Sequence, residues 1–102
     1  MTDFVTVGRT DDLPAGGLAV FEVAGTRVAV ANVGGTFCAF DDRCTHRGCS
    51  LADGALDGGT VTCPCHHGKF DVRTGAVLAA PPPSPVKTYR VRAEGGSLQI
   101  AL

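Results

Sequence analysis

With 102 residues, 44 % of them hydrophobic, the chain can bury one small core, which gains stability from a cross-link or an inorganic centre. Its formal charge of −1 comes from nine basic and ten acidic residues with no block of either sign, which excludes the basic footprint that a nucleic-acid partner requires. Gly, Pro and charge interrupt every apolar run well short of the roughly 20 residues that a membrane span needs, and the N-terminal MTDFVTVGRTDDLPAGG has no basic region followed by a long apolar stretch, so a cytoplasmic protein is expected.

The predicted elements are short strands and turns within a single domain over 1–102. Phe4 to Val7 reads as an edge strand, and Asp11 to Gly17, rich in Asp, Pro and Gly, reads as a turn. Leu18–Val23 and Thr26–Val33 follow as two strands joined tightly at Ala24-Gly25. The second is Val-rich and has no 3.6-residue polar period, so it belongs in a sheet rather than a surface helix. Gly34-Gly35 turns the chain into a strand from Thr36 to Phe40, and Asp41-Asp42-Arg43 leads out of it. Ser50 to Gly59 is expected to be a loop with Leu51 and Leu56 as apolar anchors and one short turn near Leu51 to Gly54. Thr60 to Thr62 and Phe70 to Val72 are strands, the latter turned by Arg73-Thr74-Gly75. Ala79 to Pro85 lacks the amide donors of a central strand and is expected as a stiff extended strap, with a flexible linker as the alternative. Val86–Ala93 and Ser97–Leu102 form a final hairpin about Glu94-Gly95-Gly96, giving an all-β chain of about nine strands.

The chemistry is concentrated in Cys44-Thr45-His46 and Cys63-Pro64-Cys65-His66. Each half offers one thiolate and one imidazole, and the 16 residues between His46 and Cys63 let one chain bring all four to one centre. Such a set suits a tetrahedral zinc or a [2Fe-2S] cluster with His in place of Cys on one iron. The common zinc finger places two Cys first and two His last. Here Cys and His alternate, with one residue inside the first pair and two inside the second.

In these boxes, CTHRGC (44–49) and CPCHHGKFD (63–71), followed by VRTGAVL (72–78), the chain resembles the Rieske family. The resemblance implies an antiparallel β-sandwich with two cluster-binding loops at one end, and one Rieske-type [2Fe-2S] cluster. Cys44 and Cys63 would bind the buried iron, and His46 and His66 the outer one, where the electron enters and leaves. An oxidised core of charge about +2 with two thiolates is neutral, and is therefore easier to reduce than a four-thiolate cluster. Some members, including the respiratory and photosynthetic ones, join cysteines at the positions of Cys49 and Cys65, so a disulfide is implied there. Two small buried thiols are the alternative.

Other residues of the boxes have supporting roles. Gly48 and Gly68 allow close backbone approach, with amides able to point at sulfur, and Pro64 stiffens the chain beside Cys63. High-potential members carry a Ser and a Tyr two and four residues after the second ligand His, whose hydroxyls bond cluster and Cys sulfur. Here those positions are Gly68 and Phe70. A low potential is expected, although the Cys49 and Cys65 pair is more typical of high-potential members. His67 is expected to be exposed rather than a ligand, and Cys38 to be a buried thiol acting as a small hydrophobe.

The function implied is a monomeric one-electron carrier. It would pass electrons from an NAD(P)H-dependent ferredoxin reductase to a terminal oxygenase, of the aromatic-ring-hydroxylating kind, by transient docking near His46 and His66. Arg43, Arg47 and Lys69 flank the boxes; an ordinary solvated surface is the first reading of them, and a docking surface for an acidic partner is the alternative. The alternatives are an accessory subunit of a nitrite reductase or arsenite oxidase type of enzyme, and a zinc-stabilised binding module.

Overall fold

Ten strands in two antiparallel sheets are seen in the computed structural model, which describes residues 4–44, 48–65, 68–79 and 84–101. In chain order they are β1 (Val5–Arg9), β2 (Leu18–Val23), β3 (Thr26–Val33), β4 (Thr36–Asp41), β5 (Ala55–Asp57), β6 (Thr60–Thr62), β7 (Lys69–Asp71), β8 (Val77–Ala79), β9 (Thr88–Glu94) and β10 (Ser97–Ala101). The larger sheet has the order β1-β10-β9-β4-β3-β2, and the smaller one β5-β6-β7-β8. The larger sheet curls until its two ends meet: a Cβ on Gly8 of β1 would stand 3.2 Å from the Phe21 ring of β2.

β3 explains why its sequence carries no polar period. It runs between two cores, so both of its faces are buried. Val28 and Val30 point into one core with Leu13, Val23, Ala39, Leu98 and Ile100, inside the curled sheet. Ala29 and Ala31 point the other way, into a core shared with the smaller sheet that contains Phe40, Leu51, Val61, Phe70 and Val72. A two-residue turn at Ala24 and Gly25, both at positive φ (51° and 81°), joins β2 to β3 with the twist that adjacent strands require. Asn32 is buried at the far end of β3. Its Nδ2 donates to the Leu13 carbonyl (2.8 Å) and its Oδ1 accepts the Gly35 amide (2.7 Å), which fastens the 13–17 turn to the β3–β4 hairpin.

Several boundaries differ from the sequence reading. The segment after the first box contains the expected short turn, a 3-10 turn at Leu51–Asp53, but Ala55–Asp57 is a strand paired with β6 and not loop. Val77–Ala79 is likewise a strand, at the edge of the smaller sheet. β9 begins at Thr88 rather than Val86, because Val86 and Lys87 are spent on other bonds: the Val86 amide donates to the Gly75 carbonyl (3.0 Å), and the Lys87 carbonyl accepts the Asp41 amide (2.8 Å). These two residues tie the smaller sheet to β4, so the chain leaving the Pro-rich segment is anchored, as a strap would be. Residues 80–83 lie outside the described residues.

Candidate metal centre

The first box follows directly from β4. The Cys44 amide donates to the Cys49 carbonyl (2.9 Å) and the Gly48 amide to the Cys44 carbonyl (2.8 Å), so the box closes on itself, with Arg43 and Ser50 bridged at its base. Gly48 sits at φ +73°, and a Cβ there would meet the Arg43 guanidinium at 3.0 Å. Its role is thus the tight return of the loop, and its amide is engaged with a carbonyl. The second box is the tip of the β6–β7 hairpin. Thr62 pairs with Lys69, and beyond them the Cys63 amide donates to the Gly68 carbonyl (2.7 Å), leaving the box to project from the end of the smaller sheet.

Both cysteines expected as ligands are buried in one core. Cys44 and Cys63 are each 2 % exposed and belong to one core cluster with Phe40, Leu51 and Phe70. The sulfur atoms of Cys49 and Cys65 are in bonding contact, with their Cα atoms 6.5 Å apart, which places the two box loops side by side. The other half of the expected ligand set, His46 and His66, lies outside the described residues, as do Arg47 and His67. Of the supporting residues, Pro64 is exposed, whereas Gly68 and Phe70 are buried. Cys38 is buried in the same core, and burial pushes its thiol above the ordinary range, an effect that Arg73 opposes and Asp71 adds to. A thiol held protonated in this way is a poor nucleophile, in line with a packing role.

Asp42 and Gly54 are not marked out at the site by the sequence, and Gly75 is marked only as part of the Arg73-Thr74-Gly75 turn and of the segment after the second box. Asp42, one of only two buried polar or charged residues among those described, sits under the first box and hydrogen-bonds to Ser50 and Ala52. Gly54 lies so close to the end of β6 that a Cβ would overlap the Thr62 carbonyl oxygen, just before Cys63. Gly75, at φ +81°, lies equally close to the Val86 carbonyl oxygen. Asp42 reads as a polar lead-out and the glycines as turn formers, and nothing local distinguishes them from Asp41 or Gly58. A shallow groove of about 650 Å³ runs beside the first box, rimmed by Arg27 and Arg43.

Residues 3–90 match the family model of the Rieske [2Fe-2S] domain. The chain is 43 % identical over 98 residues to the biphenyl dioxygenase ferredoxin subunit of Pseudomonas sp. (strain KKS102), covering 95 % of this chain and 90 % of that one. Its fold superimposes on the ferredoxin of carbazole 1,9a-dioxygenase from Nocardioides aromaticivorans IC177 with a TM-score of 0.92 at 35 % identity, covering 96 % of each. A structure titled as a complex of reduced oxygenase and oxidized ferredoxin in carbazole 1,9a-dioxygenase matches with a TM-score of 0.91 at 33 % identity, over 96 % of this chain and 92 % of that one.

Proposed function

The chain belongs to the Rieske [2Fe-2S] domain family, and from that membership we propose that it is a one-electron carrier, a stand-alone ferredoxin that takes electrons from an NAD(P)H-dependent reductase and delivers them to an aromatic-ring-hydroxylating oxygenase. The observation that carries this reading is the burial of Cys44 and Cys63 in one core, on two loops that the contact of Cys49 with Cys65 places side by side. That donor set fits the family's cofactor, one Rieske-type [2Fe-2S] cluster, which when bound takes up and gives back a single electron. Cys44 and Cys63 would hold the inner iron, and His46 and His66 the outer one. Likeness to a dioxygenase ferredoxin subunit, at 43 % identity, supports this carrier over an accessory subunit of a nitrite reductase or arsenite oxidase type of enzyme.

The chain's own residues prepare the site in three ways. The apolar wall of Phe40, Leu51 and Phe70 keeps water from the Cys-bound side. The backbone bonds at Cys44 and Cys63 hold both loops in place. Arg43 before the first box and Lys69 after the second are exposed and make no ion pair among the described residues, so each box carries a positive charge suited to transient docking on acidic surfaces. The described residues contain no helix long and apolar enough to cross a membrane. We take the carrier to be a monomeric, single-domain cytoplasmic protein. The test is electron transfer. The purified chain should be coloured, become reduced by NAD(P)H through a ferredoxin reductase, and be reoxidised by a Rieske oxygenase during turnover. A colourless zinc-containing protein would refute the reading.

Two further results are expected. The midpoint should fall in the lower part of the Rieske range, below roughly +100 mV against limits of about −150 and +300 mV. Gly68 and Phe70 carry no hydroxyl, so the sulfur hydrogen bonds that high-potential members make from these two positions are missing. Protein-film voltammetry of the Gly68→Ser, Phe70→Tyr variant should show an upward shift, and a wild-type midpoint above that bound would contradict the argument. Separately, a Cys49–Cys65 disulfide should contribute about 2 to 4 kcal/mol, lost in the double Ser variant, with the visible spectrum retained. Mass analysis after alkylation that finds both thiols labelled in the native protein would eliminate the cross-link.

A further inference from the structure

We propose that Asp42 is a positioning residue of the centre that also holds its potential down. The proposal rests on the reading that Cys44 binds the cluster. Asp42 stands two residues before Cys44 and is 1 % exposed. Its Oδ1 accepts the Ala52 amide (2.8 Å), and its Oδ2 accepts the Ser50 hydroxyl (2.6 Å) and Arg27 Nε–H (3.4 Å). Its carbonyl accepts the Leu51 amide (2.6 Å), and its own amide donates to the Arg27 carbonyl (3.2 Å). One residue therefore grips the chain on both sides of the first box and ties it to the start of β3. A loop closed in this way spends little freedom when it binds a metal.

The charge is placed as unevenly as the bonds are numerous. Within the Arg27–Asp42 pair the side chains are 62 % and 2 % exposed, so the carboxylate sits in the interior and its counter-charge at the surface, where water weakens its effect without removing it. A fixed negative charge two residues from Cys44 would disfavour the extra negative charge of a reduced centre. This places Asp42 in the same direction as the missing hydroxyls at residues 68 and 70, toward a low potential.

The test separates grip from charge. Asp42→Asn is close to isosteric, keeps an acceptor for the Ala52 amide and removes the charge. Its midpoint is expected to rise with the visible spectrum unchanged. Arg27→Gln, far from the boxes in sequence and mostly exposed, removes the counter-charge, and its midpoint is expected to fall. Asp42→Ala removes the grip as well, and in that variant protection of the Ala52 amide from hydrogen exchange should drop by roughly tenfold or more, with faster loss of the cluster. Unchanged midpoints in a correctly loaded Asp42→Asn and in Arg27→Gln would reduce Asp42 to a structural residue and overturn the inference. If Asp42→Asn fails to load, the Arg27→Gln midpoint decides alone. A wild-type protein with no redox-active centre would refute the carrier reading, whereas a wild type that titrates normally beside variants that do not move refutes this inference only.

Discussion

Replacing Gly75 with Ala is expected to cost the protein its cluster and most of its stability, on the order of 4 kcal/mol or more. Two independent penalties meet at this residue. Its φ of +81° is one that an L side chain adopts only with strain, and its Cβ would be driven into the backbone carbonyl of Val86. Relief by a side-chain rotation is impossible because the obstacle is main chain. The same two residues share the bond from the Val86 amide to the Gly75 carbonyl, and the Gly75 amide bonds the Asp71 carbonyl (2.7 Å) at the end of β7. Pushing Val86 away would detach the smaller sheet from the chain that ties it to β4. Gly58→Ala is the control. Gly58 also has positive φ (+57°), but a Cβ there meets nothing within 4 Å, so only the conformational term of about 1 kcal/mol applies. Denaturant unfolding and the visible spectrum of the two variants measure both parts of the contrast. Equal stability would show that the close approach at Gly75 is not structural.

Serine at Cys44 or Cys63 is expected to give a colourless protein with a lower melting temperature, and alanine at His46 or His66 the same loss of colour. His67→Ala should keep the spectrum. The effect on stability follows from linkage: a centre bound by the folded chain and not by the unfolded one stabilises the fold, and that contribution disappears with the ligands. Its distribution should be uneven. Cys44 and Cys63 lie in the core shared with the smaller sheet, while Leu98, Ile100, Val28 and Val30 form the other core inside the curled sheet. Hydrogen exchange of the Cys63→Ser protein should therefore show lost protection in β5 to β8 and retained protection in β3 and β10. Survival of colour in His66→Ala with loss in His67→Ala would shift the ligand assignment in the second box by one residue.

The residues that bear on electron transfer were legible to very different degrees. The Cys-x-His and Cys-x-x-His pattern is covalent spacing, and ligand chemistry needs nothing more to be recognised. The hairpins β2–β3–β4 and β9–β10 were also readable, since Ala24-Gly25, Gly34-Gly35 and Gly95-Gly96 punctuate strands long enough to display a pattern. β5 and β8 were not. At three residues each they are too short for alternation; β6 and β7 are equally short but lead into and out of the second box, whereas no such marker adjoins β5 or β8, and Leu78 of β8 is 53 % exposed, so no apolar face marks it. Their existence depends on the pairing that β6 and β7 offer them.

From the sequence alone came the class of centre, the identity of its expected ligands, the all-β character and the absence of hydroxyls at Gly68 and Phe70. Residue types and short separations along the chain supply the donor set, and the resemblance to the Rieske family that they carry is what implies a [2Fe-2S] cluster in place of zinc. The tertiary structure decided which of several similar residues matter. Asp42 differs from neighbouring Asp41 because its carboxylate turns inward to Ser50 and Ala52, whereas the Asp41 carboxylate accepts from the Tyr89 hydroxyl (3.2 Å) at a partly buried position. Gly75 differs from Gly58 because Val86, eleven residues on, packs against it. Such distinctions arise where segments remote in sequence come within van der Waals distance, so that the burial of a charge or the room for one carbon atom is set by a neighbour that local pattern does not specify.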